Sequence, residues 1–83
     1  MAVILPSLFA VLERFPHRKA AVRRLFKEND SFQTLCEDYW KCAEALQHWK
    51  QSGSKEAVVR RREYAALLLD LEAEIKENLT RKR

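Results

Sequence analysis

The sequence predicts an all-α fold: an antiparallel helical hairpin of two long helices, preceded by a short helical extension, with a break, bend or restart near Asn29. Three observations predict it. Two long stretches, Asn29 to Gln51 and Lys55 to Leu79, repeat apolar residues at spacings of three and four. The chain's only glycine, Gly53, stands between them. Helix formers dominate, and one glycine and two prolines in 83 residues leave little to interrupt a helix. A charged fraction of 34% beside 47% apolar residues suits helices with one buried stripe and one solvated face. The chain is long enough for one small domain and lies near the lower limit of independent stability.

The first segment, residues 1–15, is apolar. Leu5, Leu8, Phe9, Leu12 and Phe15 recur at helical spacing, so a short helix is expected. It is too short for a bilayer, which takes roughly 20 residues. Pro6 interrupts it, and it has neither a basic leader nor a small-residue cleavage site. It reads as an amphipathic cap on the hairpin or a contact with a second subunit. An interfacial membrane anchor is the alternative, because Arg14, Arg18 and Lys19 follow directly.

The hairpin domain is expected over residues 16–80, with 81–83 as a basic tail. Pro16 suits the first turn of a new helix, where its missing N–H costs nothing. Val22, Leu25 and Phe26 then turn toward a core, away from Arg23, Arg24 and Lys27. Asn29-Asp30-Ser31 compete for backbone hydrogen bonds through their own side chains and favour a cap. Asp30 with Gln33 fits a loosely extended capping box. A continuous helix with Asn29 as a polar residue in its seam is the other reading.

Phe32, Leu35, Cys36, Tyr39, Cys42, Ala43, Leu46 and Trp49 hold one face of the first arm. Gly53 is expected to close this arm in the left-handed conformation. Ser54 is expected to cap the second arm, with Glu56 in its first turn. So short a connection folds the second arm back antiparallel. Ala57, Val58, Tyr64, Ala65, Leu68, Leu71, Ile75 and Leu79 form its inner face, and Leu67 and Leu69 widen it. The seam core is therefore expected at Phe32, Cys36, Tyr39, Leu46, Tyr64, Leu68, Leu71 and Ile75. Glu37–Lys41, Glu56–Arg60, Glu72–Lys76 and Glu77–Arg81 are spaced for supporting pairs on the outer faces.

With these elements placed, the chain resembles the YdcH-like family of small bacterial proteins, a domain of unknown function. Phe15-Pro16-His17-Arg18 looks like the family's opening F-P-x-x. Leu25, Lys27, Glu28, Asn29 and Phe32 look like its L-x-x-x-N-x-x-F core. Leu35, Tyr39 and Leu46 fall in its apolar first arm, and Leu69, Leu71, Glu72, Glu74 and Ile75 resemble its ending. The match runs from about Phe15 to Leu79. Ala65-Ala66 stands where the family often has a basic pair, Glu72 replaces a lysine and Ala73 an aspartate. The resemblance implies a helical hairpin, often self-associating, in the bacterial cytoplasm, and it transfers no catalytic residue.

Function is read from surfaces. Cys36 and Cys42 are six residues apart, about 9 Å along a helix and rotated apart, too far for an internal disulfide. Reduced, buried thiols in a cytoplasmic protein are expected. Cys-x5-Cys with His48 or His17 does not have the convergent spacing of a zinc site. Glu72, Glu74 and Glu77 lie on a helix in a protein with little room for a pocket, so no enzyme, cofactor or metal is expected. Surplus apolar surface needs cover, which makes self-association or another protein the expected partner. Trp40, Trp49, Leu67 and Leu69 are the candidate partner contacts, although Trp49 would equally complete the core. The net charge of +4 is uneven: Met1 to Glu28 carries +4, Asn29 to Lys50 −2 and Gln51 to Arg83 +2. Arg23, Arg24, Arg60, Arg61 and Arg62 are the candidate anion contacts for nucleic acid, the second reading. A membrane surface is the third.

Overall fold

The computed structural model describes residues 5–81. Residues 1–4 and 82–83, parts of the expected apolar segment and basic tail, lie outside that range. The described chain forms four α-helices: α1 (Pro6–Arg14), α2 (Lys19–Glu28), α3 (Asp30–Lys50) and α4 (Ala57–Thr80). A 3-10 turn, Pro16–Arg18, joins the first two. The protein is all-α. Its α3 and α4 are an antiparallel hairpin, because Tyr39 meets Glu72 while Cys42 meets Tyr64: numbers rise on one arm as they fall on the other.

Local chemistry sets the boundaries. Leu5 is extended before Pro6, as a residue preceding proline prefers, and Pro6 occupies the first turn of α1. Pro16 begins the following turn in the same way. The chain breaks at Asn29, which is extended between α2 and α3. Here the structure corrects the expected capping box. The cap is Asn29, not Asp30: Asn29 Oδ1 accepts the Phe32 N–H at 3.0 Å. Gln33 does not fold back on its own helix start. Its side-chain amide donates to the Phe26 carbonyl, satisfying a group left open at the end of α2. Two polar side chains thus make a sharp corner out of what could have been one long helix.

The connection 51–56 also differs from expectation. Gly53 does not adopt positive φ. The Gln51 N–H closes α3 on the His48 and Trp49 carbonyls, and the Ser52 N–H returns to Trp49. Ser54 is not a side-chain cap. Its N–H donates to Ser52 Oγ at 3.2 Å, and only its carbonyl receives the Ala57 N–H. Serine hydroxyl chemistry has substituted for the glycine turn.

One core joins all four helices. Val11 and Leu12 come from α1, Val22 from α2, Phe32, Leu35, Cys36 and Tyr39 from α3, and Ile75 and Leu79 from α4. Leu68 and Leu71 pack partly against it. Leu46 and Tyr64, expected in the seam, are half-buried and stand outside this core. The reason is position. The folded-back α1–α2 pair packs on α3, and its buried residues gather with the first half of α3 and the last turns of α4. Toward the loop, α3 and α4 have mainly each other. Cys42 and Ala57 are the buried side chains there. On α1 the inward face is Ser7, Val11 and Leu12, flanked by Leu8 and Phe15. Leu5 and Phe9, expected on that face, are on its exposed flank.

Ile75 is fully buried whereas Leu69 is 66% exposed. Ile75→Ala should therefore lower unfolding stability by about 2–5 kcal/mol, and Leu69→Ala should change it by less than about 0.5 kcal/mol. Urea denaturation followed by circular dichroism measures both. A methyl group built at Gly53 meets nothing within 4 Å. Gly53→Ala should thus be neutral or stabilising by up to about 1 kcal/mol through the unfolded chain. A clear loss on the same assay would contradict this account of the turn.

Candidate interaction surface

Where the α1–α2 cover ends, the seam between α3 and α4 opens into a groove of about 340 Å³. Cys42 and Ala45 of α3 and Tyr64, Leu67 and Leu71 of α4 line it, with Asp38 and Lys41 on its rim. The spacing puts these side chains together. Residues 38, 41, 42 and 45 share one flank of α3, and 64, 67 and 71 share one flank of α4. Cys42 fixes the local register, its thiol donating to the Tyr64 carbonyl at 3.3 Å. Burial raises the Cys42 thiol above its ordinary pKa. The groove is lined chiefly by apolar side chains.

At the inner end of the groove the three packed elements meet at one carboxylate. Glu72 on α4 takes Arg14 of α1 with both oxygens, at 2.9 and 3.0 Å, and the Tyr39 hydroxyl of α3 donates to it at 3.1 Å. Glu72 is thus committed across the fold, rather than to Lys76 along its own helix as the spacing suggested. The hydrogen bond and charge of Glu72 raise the Arg14 pKa. Arg18 adds a second link by donating to the Leu79 carbonyl near the end of α4, where a cation complements the helix dipole. Sequence reasoning missed this clamp because its partners are 58 and 33 residues apart. The available signal was an acidic residue on the flank of a helix whose inward neighbours are apolar.

The candidate partner contacts do not form one surface. Trp40 and Trp49 are nine residues apart on α3, about half a turn of rotation, so they look to opposite flanks. Both are half-buried. Leu67 and Leu69 likewise diverge by about 160° around α4. Leu67 belongs to the groove and is 46% exposed, whereas Leu69 faces away from it. Cys42, Ala45, Tyr64 and Leu71 are the lining residues not singled out beforehand as partner contacts.

The candidate anion contacts also separate. Arg60 pairs with Glu63 at 3.1 Å instead of Glu56, and Arg61 donates to the Ala57 carbonyl. Arg62 is exposed. Arg23 and Arg24 lie on α2, which packs beside the first half of α3, toward the far end of that roughly 30 Å helix from the loop that precedes Arg60. Among the described residues, the ion pairs are Arg14–Glu72 and Arg60–Glu63, so the remaining spaced pairs on the outer faces are not made. Cys36 and Cys42 are free and buried. Among the described residues, no group of three or more His, Cys, Asp or Glu could hold a metal ion. No helix there is long and apolar enough to cross a membrane.

Burial, reinforced by Glu37, pushes Cys36 from 9.0 to about 12. Burial, reinforced by the adjacent Glu72, pushes Tyr39 from 10.0 to about 12. Both groups keep their protons longer in the folded chain than in the unfolded one. Their contribution is full below pH 9 and is lost as pH rises from about 9 to 12. Urea unfolding midpoints should therefore fall across that range. Tyr39→Phe should flatten the part above pH 10. An identical pH slope for that variant would argue against a buried, proton-bearing Tyr39.

No protein-family model, curated protein or solved structure matches this chain.

Proposed function

We propose that the protein is a non-enzymatic interaction or assembly module that binds through the groove between α3 and α4. One observation carries this reading: the apolar lining around Leu67, Tyr64 and Leu71 is supplied by two helices alone and left open. An open apolar seam between paired helices suits the apolar stripe of a further helix, and a half-exposed leucine beside a tyrosine suits the centre of such a contact. Self-association is the simplest way to supply that helix, since a second hairpin completes a four-helix arrangement. The resemblance to the YdcH-like family supports the same reading and suggests the cytoplasm of a bacterium as the setting. Nucleic-acid binding through Arg60, Arg61 and Arg62 is the lesser reading, because Arg60 and Arg61 already have partners on their own helix.

Absolute mass measured by sedimentation over a dilution series tests the proposal. The wild-type protein should associate at high concentration and dissociate on dilution. Leu67→Glu should remain monomeric at all concentrations with unchanged helicity, while Leu69→Glu should behave as wild type. Equal association of wild type and Leu67→Glu would remove the groove from the interface. A monomer at every concentration would remove self-association and leave a different protein as the partner.

A further inference from the structure

The α1–α2 pair presents a second surface whose chemistry differs from that of the groove. Lys19, Arg23 and Lys27 recur every four residues along the outer face of α2, with Arg24 beside them, and all four are exposed. Among the described residues, none of the four takes part in an ion pair. The helix carries one acid, Glu28, at its last position. Like charges four residues apart work against a helix, so this ten-residue segment holds a repulsive face that an external anion would relieve.

Apolar surface adjoins that charge. Leu5, which precedes α1, and Leu8 of α1 line one groove, of about 660 Å³, together with Phe26, Arg23, Arg24, Lys27, Glu28 and Gln33. Leu5 is 45% exposed, and Phe9, one helical turn further along α1, is 50% exposed. A duplex phosphate backbone would use the cations and leave the leucine and phenylalanine in water. An interface between anionic headgroups and acyl chains uses both.

We infer that the outer face of the α1–α2 pair docks on an anionic phospholipid bilayer, with Leu5 and Phe9 entering the acyl boundary and Lys19, Arg23, Arg24 and Lys27 meeting the headgroup phosphates. The contact is peripheral, since α1 has nine residues, far fewer than a bilayer span. It leaves the α3–α4 groove free and does not depend on the assembly role proposed for it.

Co-sedimentation of the full chain with phospholipid vesicles tests this. Vesicles containing phosphatidylglycerol should carry the protein down at low salt. Pure phosphatidylcholine vesicles should not, and high salt should release it. The double variant Arg23→Gln with Arg24→Gln should bind roughly thirtyfold more weakly. Phe9→Ser should also bind more weakly while keeping the salt dependence. Circular dichroism identifies any variant that loses its helices, and the exposed positions make that outcome unexpected. At dilutions where wild type is itself monomeric, Leu67→Glu should bind vesicles as wild type does, which separates this surface from the groove. Failure to bind the anionic vesicles, equal binding to neutral ones, or wild-type binding by Phe9→Ser would overturn the inference. So would preferential capture by duplex DNA or polyglutamate, which would identify a different anionic partner.

Discussion

Uneven cover along α3 governs the rest of this structure. Its first half carries Phe32, Leu35, Cys36 and Tyr39, and these share a core with residues from α1, α2 and α4. Its second half carries Cys42, Ala45, Leu46 and Trp49 and has mainly α4 for company. A chain of this size cannot bury every apolar residue it carries. It concentrates burial at the end where the chain doubles back twice, and leaves an open seam at the other.

The corner at Asn29 makes that distribution possible. Had α2 continued into α3, Val22 would have travelled away from Phe32 along one rod, and α1 could not have reached Ile75 and Leu79. The Asn29 cap and the Gln33 amide on Phe26 satisfy the backbone groups that the corner would otherwise strand. The Arg14–Glu72–Tyr39 cluster and the Arg18 contact then fasten the returned segment to α4. Arg14 is half exposed and Glu72 nearly enclosed. Water weakens such a pair, so its main effect is to set where α1 lies, with apolar burial supplying the larger stabilisation.

Two surfaces follow from this construction, and they differ in kind. The groove beside Leu67 is an open apolar seam lined also by one acid, Asp38, and one base, Lys41. The α1–α2 face joins a row of cations to two exposed apolar side chains. Because the first is lined by α3 and α4 and the second chiefly by α1 and α2, one molecule has room for two contacts at once.

The sequence by itself determined the helices, the break at Asn29 and the antiparallel return after Lys50, because each is written in local chemistry: apolar spacing, a capping side chain and a short connection. It also placed Phe32, Cys36, Tyr39 and Ile75 inside, since a sustained helical stripe identifies the middle of a buried face. Tertiary structure alone decided which part of that stripe would be sealed. Leu46 and Tyr64 have the same periodicity as Tyr39 and Leu71 yet lie beyond the core. Leu5 and Phe9 match Leu12 in spacing but rotate outward when Val11 takes the inner face. Glu72 could have paired with Lys76 on its own helix, and packing brought it Arg14 and Tyr39 instead. Periodicity reports that a face is apolar. What covers that face depends on the returning chain, and therefore on contacts between residues that local sequence does not connect.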